Sequence, residues 1–74
     1  MLETGKIIKK IKLFEFSPDL SGVARALGVP YTNLHNWMQY NRHQPPTRLM
    51  LSYIVPWCID RDINIEHFLT KDIS

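Results

Sequence analysis

At 74 residues and 45% hydrophobic content, the chain has material for one small folded domain, 1–74, and is too apolar to stay disordered. A net charge of +2 is compatible with a polyanionic partner without requiring one. The single Cys58, the lack of zinc-spaced Cys/His clusters and of an apolar run near the ~18 residues of a membrane span, and the absence of a signal peptide exclude a disulfide scaffold, a metal site and a membrane anchor, leaving a cytoplasmic protein as the expectation.

The first predicted helix covers Thr4 to Glu15. Ile7, Ile8, Ile11 and Phe14 fall at i, i+1, i+4 and i+7 and make one apolar stripe. Thr4 is placed as its cap. Lys6, Lys9, Lys10 and Lys12 fill the other faces, either as a solvated surface or with one or two of them against phosphate.

Phe16-Ser17-Pro18-Asp19 signals a helix start, with Ser17 as N-cap, Pro18 at the first position and Asp19 at the positive end of the dipole. The second helix then spans about 18–27. Leu20, Val23, Ala24 and Leu27 share its inner face, and the small Ala24 allows a close crossing. Gly22 inside it costs up to ~1 kcal/mol against alanine, with no packing reason legible in the sequence. Gly28 can end the helix with φ > 0.

Val29 points into the core, and Pro30 fixes the start of a third helix over about 31–40, whose inner face is Leu34, Trp37 and Met38. Its outer face carries Tyr31, Thr32, His35, Asn36 and Gln39. These side chains hydrogen-bond but include no carboxylate, lysine or arginine, whereas an idle solvated face more often shows Lys and Glu. Asn and Gln pair bidentately with adenine, Thr bonds a base or touches the thymine methyl, His can donate to guanine, and Tyr31 can reach a phosphate or a base edge.

Residues 41–47 read as a loop, with two prolines that forbid helix continuation and with Asn41 able to adopt the left-handed conformation that ends a helix. Arg42 and His43 follow the third helix directly, either as plain loop surface or against a nucleic-acid backbone. Further on, Met50, Tyr53, Ile54, Trp57 and Cys58 follow helical spacing, while Leu49, Leu51, Tyr53 and Val55 alternate like a strand. Pro56 disfavours both a central strand and a helix interior. A helix over about 49–60, bent at Pro56, is the expectation, and a winged variant with a short strand is the alternative. Cys58 is expected in the core. Asn64 caps a closing helix with Ile65, Phe68 and Leu69 on one face and His67 exposed, and 70–74 form a frayed end.

Val23-Ala24-Arg25-Ala26-Leu27-Gly28-Val29 followed by Leu34-His35-Asn36-Trp37 resembles the helix-turn-helix of phage repressors of the CI type, and residues 62–70 resemble that family's closing short helix. The likeness covers roughly 20–70. Pro30 in place of the usual serine or threonine cap, a longer stretch over 41–52, and Pro56 depart from the pattern. The resemblance implies an all-α fold, a compact bundle of about five short helices of the lambda-repressor-like kind, with 31–40 as recognition helix. It implies operator binding as a homodimer that holds a lysogenic switch. Dimerisation in that family usually comes from a separate C-terminal domain for which this length leaves no room.

The expected function is therefore sequence-specific DNA-binding transcription regulation by a phage or prophage repressor, without catalysis or cofactor, on double-stranded operator DNA. Tyr31, Thr32, His35, Asn36 and Gln39 are the candidate base readers; Ser21, Arg42 and His43 are candidate backbone contacts. The alternative is a small helical protein-interaction module that presents exposed apolar and aromatic residues, Tyr40, Tyr53 or Trp57, to a partner helix. An enzyme is not expected, because no activated nucleophile pattern, paired carboxylate and histidine, or glycine-rich phosphate loop is present.

Overall fold

Apolar residues that recur every three or four positions can be buried on one side only by helices, and the computed structural model, which describes residues 3–70, contains five helices among them. These are α1 (Thr4–Phe14), α2 (Leu20–Leu27), α3 (Tyr31–Tyr40), α4 (47–60) and α5 (Ile65–Thr70). No strand occurs among the described residues, so the all-α reading holds and the winged alternative does not. The frayed end expected at 70–74 lies, past Thr70, outside the described residues.

The core takes Ile7, Ile8 and Ile11 from α1, Val23, Ala24 and Leu27 from α2, Val29 from the turn, Leu34 from α3, and Leu49, Ile54, Trp57 and Cys58 from α4. Ala24 is buried, as the close crossing requires. Trp37 and Met38 are half-buried on the inner side of α3, and Trp37 packs on Tyr53 of α4 with ring centroids 6.2 Å apart. Gly28 ends α2 at φ 78°, its N–H and that of Val29 returning to the last carbonyls of the helix, a Schellman arrangement.

α4 accommodates Pro56 in a way the periodicity conceals. Proline lacks the N–H that would reach Ser52, and its ring crowds that carbonyl. The residues just before it, Met50–Ile54, wind more widely, and Val55 N–H reaches back five residues to Met50. Leu49 and Ile54, five apart, are therefore both fully buried, and the ordinary spacing resumes at Trp57 and Cys58. The irregularity lies on the N-terminal side of Pro56.

Several local expectations are corrected. α2 begins at Leu20, not Pro18: Phe16 turns the chain at φ 53°, and Asp19 rather than Ser17 is the cap, its Oδ1 accepting Gly22 N–H at 2.9 Å. The cap position of α1 is Glu3, not Thr4. Thr4 is fully buried; its hydroxyl donates to the Asn41 carbonyl and its N–H to the Arg42 carbonyl at 3.1 Å. Asn41 ends α3 at φ −119°, outside the left-handed region, with its N–H returning to the Trp37 carbonyl and its own carbonyl taken by Thr4. Phe14 is half exposed and meets Trp57 edge-on at 5.2 Å.

Lys10 belongs to the structural framework rather than to a solvated face or a phosphate contact. It is buried, with Nζ donating to the Phe68 carbonyl and lying 5.3 Å from the Phe68 ring centroid. Beside it, Glu15 Oε2 accepts from Trp57 Nε1 at 2.9 Å and pairs with Arg61 Nε at 2.7 Å, while the Arg61 guanidinium lies 4.9 Å over the Trp57 ring. This network fastens α1, α4 and α5 together. Asn64 caps α5 by accepting His67 N–H at 2.9 Å, and the His67 side chain is exposed.

Candidate functional site

With Leu34 committed to the core and Trp37 and Met38 turned inward, helical geometry aims Thr32, His35, Asn36 and Gln39 outward, and all four are exposed. Tyr31 is half exposed at the start of the stripe, its ring tilted toward His35 with centroids 6.0 Å apart. The side chains of Thr32, Asn36 and Gln39 make no hydrogen bond or ion pair with the other described residues. Their donors and acceptors are thus presented to solvent in a row along two turns of α3.

A shallow groove opens at each end of this row. Ser21, Arg25, Gly28, Pro30 and Tyr31 line the first, where α2 turns into α3. Ser21 is half-buried and Arg25 exposed. The second lies where the start of α1 meets the end of α3, lined by Glu3, Gly5, Lys6, Lys9, Arg42 and His43 over Met38. The Thr4 contacts to Asn41 and Arg42 hold this junction closed, which is why two segments some forty residues apart share one surface.

The electrostatics of the second groove are cationic with one acidic residue. Glu3 Oε2 accepts a hydrogen bond from His43 Nδ1 at 3.0 Å. That bond holds the Glu3 carboxyl below its ordinary range, with smaller help from the charges of His43, Lys6 and Arg42. The long-range hydrogen bonds of this groove leave Lys6, Lys9 and Arg42 without an ion-pair partner among the described residues. Among the described residues no group of three or more His, Cys, Asp or Glu is placed to hold a metal, and no helix is long and apolar enough to cross a membrane.

The structure brings Tyr31, Thr32, His35, Asn36 and Gln39 onto one side of α3, Ser21 to one flank beside Tyr31, and Arg42 and His43 to the other flank. Of the four lysines considered for phosphate contact, Lys6 and Lys9 line a flanking groove; sequence reasoning missed Arg25, which lines the other, and missed Glu3 entirely. Arg25 is six residues from Tyr31 and lines the same groove because the turn at Gly28 folds α3 back on α2. One signal was available. Residues 20–59 contain no aspartate or glutamate, although the chain has seven acidic residues in all. An acid-free stretch of that length covers α2, α3 and most of α4, and it marks the surface on which Arg25, Arg42 and Arg48 stand uncompensated by neighbours in sequence.

Comparison of the chain with models of protein families, with curated proteins and with solved structures found no match.

Proposed function

We propose that this chain is a sequence-specific DNA-binding transcriptional regulator, a phage or prophage repressor of the cytoplasm that carries out no catalysis and occupies operator DNA as a homodimer. α3 is the reading helix in the major groove. Asn36 and Gln39 pair with base edges, Thr32 and His35 add contacts beside them, and Tyr31 reaches a base edge or the backbone. Ser21 and Arg25 on one side, and Lys6, Lys9, Arg42 and His43 on the other, hold the phosphates.

The observation that carries this reading is the division of labour on the surface: a row of unengaged, uncharged hydrogen-bonding side chains on α3 with a cationic groove at each end. Base readout needs donors and acceptors that no other side chain has already taken, and non-specific grip needs an excess of cations, which Lys6, Lys9 and Arg42 supply over the single carboxylate of Glu3.

Selection from a pool of random duplexes tests it. A defined site is expected, and a palindromic one would accord with a homodimer, since operator symmetry mirrors protein symmetry. On that site Asn36→Ala and Gln39→Ala are each expected to weaken binding by about 1–3 kcal/mol and to relax the requirement at one base pair, leaving non-specific binding as it was. Undiminished binding by both variants removes α3 as the reader. Of the aromatic residues on which the protein-interaction reading draws, Tyr40 is exposed, Tyr53 half-buried and Trp57 buried in the core, so Tyr40 alone is fully presented; that reading predicts a protein complex insensitive to salt and no duplex binding, whereas DNA binding falls steeply as salt rises.

A further inference from the structure

The groove at the α1–α3 junction has the parts of an oxyanion site. Lys6, Lys9 and Arg42 supply cations. The N-terminus of an eleven-residue helix supplies the positive end of a dipole, and Gly5 there leaves open space where a Cβ would stand. An oxyanion is already in it. Glu3 occupies the cap position of α1, yet its carboxylate accepts no N–H from the helix. It crosses instead to His43 Nδ1 at 3.0 Å. A side chain at this position would ordinarily serve the helix end; here it serves the groove.

We propose that the Glu3 carboxylate stands, in the free protein, where a backbone phosphodiester of duplex DNA binds, so that Lys6, Arg42 and His43 form a phosphate site closed by the chain's own anion. The inference rests on the DNA-binding reading and adds a regulator to it. Duplex binding must displace Glu3 from His43, and the displaced carboxylate remains next to the incoming phosphate. Glu3 therefore lowers affinity for any DNA sequence by the same factor; the preference among sequences is unchanged, and the sites that stay occupied are those whose base contacts on α3 offset the loss. The depressed titration of Glu3, caused by His43 first and by Lys6 and Arg42 after it, shows the carboxylate already feeling the same groups. Both side chains are largely solvated, so exchanging one anion for another requires no rearrangement of the core.

The test is binding of a random-sequence duplex, followed by fluorescence anisotropy over a series of salt concentrations, for the wild type, Glu3→Gln and Glu66→Gln. Glu66 is an exposed carboxylate on α5 and controls for net charge. The expected result is a threefold to tenfold tighter complex for Glu3→Gln at low salt, with the log–log salt slope steeper by up to about one, and wild-type behaviour for Glu66→Gln. Thermal unfolding of Glu3→Gln should match the wild type. Duplex binding by all three proteins with equal affinity and slope overturns the role of Glu3 while leaving the DNA-binding reading in place. An equal gain in Glu66→Gln reduces the effect to net charge and overturns it as well. Absence of duplex binding in every protein overturns both. Inorganic phosphate is the second probe: if it perturbs the Gly5 and Lys6 amides of Glu3→Gln as strongly as duplex does, the site is one for free phosphate and the DNA assignment falls.

Discussion

At the scale of single residues, Gly28 holds a backbone conformation that other residues rarely adopt, and Glu3 makes a side-chain contact that its cap position would not predict. Gly28 sits at φ 78°, and a Cβ built there meets nothing within 4 Å. Gly28→Ala therefore suffers backbone strain alone and is expected to lower unfolding stability by about 1 kcal/mol, measured by denaturant titration. A loss several times larger would mean that the turn has a packing constraint as well. Glu3 is the second position. Its carboxyl is held low by the His43 hydrogen bond, so the interaction is present above the ordinary glutamate range and is lost as pH falls through the depressed value. In an NMR titration Glu3 should have a midpoint below that of a free glutamate, and His43→Gln should move that midpoint up. A midpoint that ignores His43→Gln would remove the contact from solution.

At the scale of elements, Gly22 acquires the reason that α2's own sequence withholds. A Cβ there would lie 1.6 Å from Ser17 Oγ and 3.0 Å from Ser17 Cβ, and that hydroxyl donates to the Asp19 carbonyl at 3.3 Å in the turn that starts the helix. Gly22→Ala is expected to destabilise the wild type by about 1 kcal/mol but to be neutral or stabilising in a Ser17→Gly background, where alanine's helix preference is unopposed. Equal effects in the two backgrounds would show that the contact carries no energy. The boundaries of α3 and the inward faces of α2 and α3 were legible because Leu34 and the run from Val23 to Leu27 follow the period of a regular helix. The true cap of α2 was not, because Ser17 and Asp19 are both good caps and only the left-handed Phe16 decides between them. Lys10 was illegible for a related reason: its partner Phe68 is fifty-eight residues away, and nothing in a lysine's immediate neighbours announces that it will be buried.

At the scale of the whole molecule, α1 is the element through which distant parts meet. Thr4 joins it to the end of α3, Lys10 to α5, and Glu15, at its C-terminal cap, to Trp57 of α4 and to Arg61 just beyond α4. The candidate interface inherits its shape from the first of these ties, so half of it was visible as a stripe on α3 while the flank built from α1 was not. Cys58 reports on the integrity of the assembly. It is fully buried, and burial pushes its thiol above the usual range, with Arg61 opposing in part. In the native protein it should resist alkylation at neutral pH and react readily in denaturant, the ratio of rates measuring how often the bundle opens. Rapid native alkylation would show that α4 separates from α1 without global unfolding.

The wide turn over Met50–Ile54 bears on how this chain should be compared with any other. Each residue advances an ordinary helix by about 100°, and the wide turn absorbs one residue more than a regular turn without moving the faces that follow. A related protein with a regular helix and no proline here needs one position fewer. An ungapped pairing of the two would turn the partners of Trp57 and Cys58 about a quarter-turn away from the core, and every hydrophobic match beyond Pro56 would be lost. A single-residue gap placed between Leu49 and Val55 restores them.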